Sequence, residues 1–163
     1  MSSKRSIFEI IKMRKSVRSY LDKEISEEEL EKIIRDANRF QGPFRDEVRF
    51  ELIIDDKISM DNKKLGTYGI IQGAKYYLAA IANREDECLY ELGYATERAI
   101  LYLSDKNLGT CWMGGTFDRG NFASKVDLKD DEYLPVVVPF GYIKDKQSVK
   151  DKMIRMTAGS DKR

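Results

Sequence analysis

With 163 residues, 42% of them apolar, the chain can bury one core and needs no second domain, so a single domain over residues 1–163 is expected. Its 29 lysines and arginines stand against 28 acidic residues, a net charge of +1, which excludes the broad positive field that steers nucleic acid or anionic membranes and leaves any basic role local. Histidine is absent, which removes Ser-His-Asp and Cys-His catalysis and the common zinc sites. An enzyme built on this chain is therefore expected to borrow its chemistry from a cofactor, without a metal site and without a catalytic side chain. The longest apolar run, Tyr76 to Ala82, is far shorter than the roughly 18 residues that cross a bilayer, and no signal-peptide core follows Met1-Ser2-Ser3-Lys4-Arg5. No membrane association and a cytoplasmic location are expected. Cys88 and Cys111 form neither a C-x-x-C pair nor a disulfide framework and read as reduced and buried.

In chain order, Ser6-Ile7-Phe8-Glu9 has capping-box spacing, and Ile7, Ile10 and Ile11 follow on one face, which predicts a helix to about Met13. Ser26 to Glu29 repeats the signature ahead of Leu30, Ile33, Ile34 and Ala37, the stripe of an amphipathic helix broken at Gln41-Gly42-Pro43. Val48, Phe50, Leu52 and Ile54 alternate as in a half-buried strand. Lys75 to Ala82 reads as a central strand covered on both sides. Asp86 to Ser104 carries Leu89, Leu92, Thr96, Ala99, Ile100 and Leu103 at helical spacing, with Asn107 and Gly109 as turn residues beyond it; this is the expected central helix. A short strand is predicted over Thr110 to Met113, a small helix near Asn121 to Lys125, and a strand over Val136 to Tyr142 in which Pro139 argues for an edge, an end or a bulge. A last helix is expected around Ser148 to Met156, with a break at Gly159. The order predicts a layered α+β fold, and the lack of G-x-G-x-x-G speaks against a Rossmann site.

Two segments have the composition of a ligand site. Arg14-Lys15-Ser16-Val17-Arg18 puts three cations and a hydroxyl in five residues where the first helix should stop. Such a run can cradle a phosphate through charge-assisted donors, or can simply complement a helix C-terminus and face water. Gly109 to Gly115 is a strand running into two glycines, where a planar ring can approach the backbone, or an ordinary strand-end turn. Gly66-Thr67-Tyr68-Gly69 is open in the same way.

These pieces occur together in the order seen in one family. Arg14-Lys15-Ser16-Val17-Arg18, Gly42-Pro43-Phe44, Val48-Arg49-Phe50, Leu65-Gly66-Thr67-Tyr68-Gly69, Gly73-Ala74 and Leu108 to Gly115 resemble the nitroreductase family, and within it a compact branch first recognised in thermophiles. The resemblance implies a central, mainly antiparallel sheet flanked by helices, binding FMN at a homodimer interface. It implies an oxidoreductase that passes hydride from NAD(P)H to nitroaromatics, quinones or similar electron-poor acceptors. By the same resemblance Arg14 and Ser16 hold the FMN phosphate with help from Lys15, and Arg18 reaches the pyrimidine end of the flavin. Thr67 and Tyr68 belong to the cofactor site, and Met113, Gly114 and Gly115 pass near the N5 edge. Pro43, Phe44 and Arg45 come from the opposite subunit, and Lys162 or Arg163 adds a last cation.

The chain departs from its likeness in two places: Arg45 and Asp46 stand where relatives carry glycine and asparagine, and relatives continue past Lys162-Arg163 with a further tail. These departures motivate two other readings, a flavin store or redox sensor without turnover, and an interaction module that has lost the cofactor. Nucleic-acid binding is not expected, because acids balance the basic residues.

Overall fold

The computed structural model describes residues 5–44, 47–55, 66–144, 153, 156 and 157. Within them the elements run α1 (Ile7–Met13), α2 (Glu27–Ala37), β1 (Val48–Ile54), β2 (Tyr76–Asn83), α3 (Asp86–Asp105), β3 (Leu108–Thr110), α4 (Arg119–Ala123) and β4 (Glu132–Tyr142). The four strands form one sheet in the order β1-β2-β4-β3, every pair antiparallel. This is the layered α+β architecture, with helices against the sheet.

β2 shows how the layers arise. It is apolar at nearly every position, so both of its faces can be dry. Leu78, Ala80 and Ala82 point to a core shared with α2 and α3, through Leu30, Ile33, Leu92, Ala95 and Ala99. Tyr77, Ala79 and Ile81 point the other way, to a core built from Phe122 of α4, Phe117, Ile71, Val17 and Met113. The alternation of a strand thus divides one apolar run between two cores.

The caps formed as their spacing dictates. Ser6 accepts from the Glu9 N–H while the Glu9 carboxylate accepts from the Ser6 N–H, and the Ser26 hydroxyl accepts from Glu29 N–H at 3.3 Å. α1 differs from its expected face: only Ile10 is buried, whereas Ile7, Phe8 and Ile11 are each at least half exposed. Seven residues lying against the outside of α3 reach no second layer that could cover a wider stripe.

Other boundaries shift for identifiable reasons. The short strand expected over Thr110 to Met113 is instead β3, Leu108–Thr110, so Gly109 lies in the strand while Asn107 alone makes the left-handed turn, at φ 60°. The small helix begins earlier, at Arg119, because Asp118 caps it by accepting the Asn121 N–H at 3.2 Å. β4 begins at Glu132 rather than Val136. Pro139 is neither at an edge nor at an end: β4 lies between β2 and β3. The pairings Gly109↔Gly141 and Met113↔Val137 share one register, which places Pro139 opposite Cys111 at a position where the ladder needs an N–H. Proline has none, so β3 stops at Thr110, and the Pro139 carbonyl accepts the Tyr20 hydroxyl at 3.1 Å instead. The bulge in this sheet is elsewhere, between Ala80 and Ala82.

Both cysteines are buried. Among the described residues no helix is long and apolar enough to cross a membrane. The helix expected around Ser148 to Met156 and the break at Gly159 lie largely outside the described residues.

Candidate functional site

At Arg14 the chain leaves the helix for an extended conformation, its N–H still bonded to the Ile10 carbonyl at 2.9 Å. The cationic segment then runs parallel to β3. Ser16 pairs with Thr110, and Val17 N–H donates to the Thr110 carbonyl at 2.8 Å. Gly109 makes this approach possible: a Cβ there would sit 2.8 Å from Val17 Cγ1. Farther on, Gln72 N–H donates to the Arg18 carbonyl at 2.8 Å and Tyr20 N–H to the Gln72 carbonyl at 2.9 Å.

The charges of the segment are poorly matched by acids. Arg14 Nε lies 3.6 Å from Glu97 Oε1 on α3, and the other Glu97 oxygen accepts the Trp112 indole N–H at 2.7 Å. One carboxylate therefore ties the first cation of the segment to the strand end it faces. Beyond that pair, the side chains of Arg14, Lys15 and Arg18 have no acidic partner among the described residues. A cleft of about 70 Å³ opens beside Arg14 and Lys15, lined also by Met13, Ser104, Asn107 and Gly109. Forked donors without carboxylates are the arrangement an anion's oxygens need.

Past β3, Met113 exchanges both backbone hydrogen bonds with Val137, at 3.1 and 3.0 Å, and its side chain is buried. Its N–H is thus used within the sheet, and Gly114 and Gly115 follow it. Both are exposed, their N–H groups have no partner among the described residues, and a Cβ on either would meet no atom within 4 Å. Arg119 donates to the Gly114 carbonyl at 2.8 Å and holds the loop from below. The 66–69 turn joins the same neighbourhood, because Asp118 N–H donates to the Gly66 carbonyl at 2.8 Å. Within it Thr67 is buried and faces the core, while Tyr68 is 70% exposed and sits in the left-handed region at φ 50°. A non-glycine residue at positive φ costs about 1 kcal/mol or more, so the turn holds this ring outward against a backbone preference.

Residues 14–18, 66–72 and 110–119 are thereby joined through backbone hydrogen bonds, although they are far apart in sequence. The 42–44 loop is held elsewhere on α3: Pro43 is exposed, and the half-exposed Phe44 ring lies 5.7 Å from that of Tyr90. Arg45, Lys162 and Arg163 lie outside the described residues.

Two residues that organise the site were missed by reading the sequence, Glu91 and Glu97. Glu91 gave a signal, since it stands three residues after Cys88 and four before Ala95, on the apolar face of α3. Glu97 gave none, because a partly exposed acid on a helix is ordinary. A larger cleft, about 320 Å³, lies between Asn38, Phe40, Gln41, Glu47, Arg49 and Lys129, with Glu91 among its lining residues. Its strongest charges satisfy each other: Arg49 donates to both oxygens of the buried Glu132, at 2.8 and 2.7 Å. That hydrogen bonding, helped by the Lys129 N–H, holds the Glu132 carboxyl down at about 2.

Residues 6–162 match the family described as "Putative TM nitroreductase". Among solved structures, the chain is similar to a nitroreductase family protein from Clostridium novyi NT, with 22% identity over 91% of each chain and a TM-score of 0.69. It is similar to a "Putative NADH dehydrogenase/NAD(P)H nitroreductase" from Bacteroides thetaiotaomicron VPI-5482, with 19% identity over 90% of this chain and 91% of the other, TM-score 0.70. A nitroreductase with bound FMN from Bacteroides fragilis NCTC 9343 follows at 17% identity, 89% and 92% coverage, TM-score 0.67. No curated protein matches the chain. At such identities the solved structures carry the fold alone, but the family match begins at the cap of α1 and runs through β4 and beyond, so the chain belongs to the nitroreductase family.

Proposed function

We propose that the chain is a cytoplasmic FMN-dependent oxidoreductase that moves electrons from NAD(P)H to a nitroaromatic, quinone or similarly electron-poor acceptor. In this reading residues 1–163 form one domain and two copies bind FMN at their interface. The observation that carries it is the docking of a segment with three cations, matched by one carboxylate among the described residues, against β3, the strand that leads on to two exposed glycines with open room over them. The residues present fit the cofactor. Arg14, Lys15 and Ser16 supply charge and hydroxyl for a phosphate, and the Gly114 and Gly115 N–H groups are free to meet the edge of a flat ring.

FMN, when bound, supplies two-electron chemistry between nicotinamide and acceptor, which suits a chain that has no histidine. The protein's part is to hold and orient. Arg18 stands by the pyrimidine end, where a positive charge favours the electron-rich ring, and Tyr68 flanks the site. Thr67 supports Tyr68 from inside the turn rather than through its own side chain, which is buried. Arg45, from the partner copy, and Lys162 or Arg163 complete the donor set. Support for the dimer comes from apolar side chains left uncovered along α1 and α3: Ile7, Phe8 and Ile11 with Tyr90 and Tyr94, all at least half exposed. Support for the cofactor and donor comes from the names of the Bacteroides fragilis and Bacteroides thetaiotaomicron relatives.

The test is the visible absorption spectrum of the purified protein before and after incubation with FMN and desalting. Flavin bands that survive desalting, and that bleach when NADH or NADPH is added under argon, are the expected result. Bands that survive but do not bleach would make the protein a flavin carrier without turnover. A colourless protein after reconstitution would refute the flavin reading.

A further inference from the structure

The loop that follows α2 is pinned to the middle of α3 by a buried acid. Glu91 is 1% exposed. One of its carboxylate oxygens accepts the Gly42 N–H and the other accepts the Phe44 N–H at 3.0 Å. Pro43, between them, has no N–H, so the carboxylate takes both donors this tripeptide owns. A Cβ at Gly42 would lie 2.5 Å from Glu91 Oε2, so any larger residue there would displace the carboxylate. No cation pairs with Glu91 among the described residues.

Packing alone does not require an acid here, since an apolar side chain on the same face of α3 would fill the space. What the carboxylate supplies, and an apolar residue could not, is one fixed path for residues 42–44. That path turns apolar surface outward: Pro43 is exposed, and the Phe44 ring is 51% exposed, steadied from one side by Tyr90. The surface it presents belongs to the same uncovered apolar face as Tyr90 and Tyr94.

We infer that Glu91 is a positioning residue of the flavin site: its carboxylate fixes the 42–44 loop so that Pro43 and Phe44 form an apolar cover for FMN across the subunit interface. The inference rests on the function proposed above and assigns a role to a residue that touches neither cofactor nor substrate.

The test is a double-mutant cycle on FMN affinity, read by quenching of flavin fluorescence, for the full chain, Glu91→Gln, Phe44→Ala and the double variant. Glutamine keeps the volume but presents an amide donor to one of the two N–H groups, so the loop loses half its anchor. Each single change is expected to raise Kd about tenfold, and Glu91→Gln to add less than about twofold once Phe44 is already alanine. Additive losses would mean that Glu91 acts through general stability, and would overturn the inference; so would a Glu91→Gln protein with unchanged Kd. Should Glu91→Gln fail to fold, Glu91→Asp, whose shorter side chain draws the carboxylate back from both N–H groups, takes its place in the same cycle with the same two outcomes, and an unchanged Kd in Phe44→Ala overturns the inference by itself. A wild-type chain that takes up no FMN overturns this inference together with the proposed function, whereas a wild type that loads FMN beside unaffected variants overturns this inference alone.

Discussion

Replacing Arg14 by alanine separates ligand binding from folding, because the structure assigns very different weights to the two. In the free protein the Arg14 side chain is 23% exposed and its ion pair is with Glu97 at 3.6 Å, itself 41% exposed. A pair that wet contributes about 0–1 kcal/mol, and Glu97 keeps its hydrogen bond from Trp112 when the arginine is gone, so the wall of the site stays in place. A guanidinium donating to a phosphate in a partly dry cleft contributes about 1.5–3 kcal/mol. Since about 1.4 kcal/mol is tenfold in an equilibrium constant, Arg14→Ala is expected to raise the FMN dissociation constant roughly 10- to 150-fold. The apo-protein's urea midpoint should move by less than about 1 kcal/mol equivalent. Flavin titration and denaturation on the same two proteins measure both numbers. A dissociation constant within twofold of wild type refutes the cradle; a stability loss above about 2 kcal/mol would show that the arginine serves the fold.

Three further outcomes are expected. Gly109→Ala places a methyl against Val17 and Ile143 at 2.8–2.9 Å, so it should cost about 1–3 kcal/mol by overpacking and weaken FMN binding by pushing the 14–18 segment off β3; unaltered urea and flavin titrations would refute the close approach. Glu132 has a folded-state pKa of about 2 against an ordinary 4.5, because Arg49 and then the Lys129 N–H hydrogen-bond its charged form. A lowered folded value stabilises the fold above about pH 4.5 and loses that contribution as pH falls through 2, so the stability gap between wild type and Glu132→Gln should close over that window in urea melts; a gap independent of pH contradicts the pairing. Phe122, fully buried and edge-on to Tyr77 at 5.1 Å and Phe117 at 5.4 Å, should cost about 3–5 kcal/mol as alanine by chemical denaturation, and a loss below 1 kcal/mol would mean the second core is far looser than its burial indicates.

Much of the fold was legible because its signals are local. Capping residues and the period of α2 are settled within a few neighbours, and α1, α2 and β1 stand where their spacing predicts, although the alternation of β1 fails at its end, where Ile53 is buried and Ile54 is exposed because the strand packs on both faces. β2 was legible as central because a continuous apolar run needs cover on two faces. What the sequence concealed is pairing. Pro139 looks like an edge residue to anyone reading β4 alone; its tolerance inside the sheet depends on a missing hydrogen bond to Cys111 and on a hydroxyl from Tyr20, more than a hundred positions away. The exposed face of α1 is the same kind of miss, for three isoleucines at helical spacing are apolar whether or not a neighbour exists to cover them.

The candidate site divides along the same line. Its cations and glycines announce themselves in sequence because they sit next to one another, and backbone hydrogen bonds along β3 then bring the two motifs side by side. The acids that orient them are distant and solitary. Glu91 and Glu97 lie six residues apart on α3, about 9 Å along its axis; Glu91 accepts from the Gly42 and Phe44 N–H groups, and Glu97 accepts from the Trp112 indole and forms an ion pair with Arg14. α3 is thus more than a layer over the sheet. Because both carboxylates ride on one rigid helix, the cationic segment and the apolar 42–44 loop keep a fixed mutual geometry without touching each other. That coupling makes a specific demand: a change that bends α3 between positions 91 and 97, such as Tyr94→Pro at an exposed position, should weaken FMN binding even with every cation and glycine intact, and retained affinity in a variant that circular dichroism shows to be folded would break the argument.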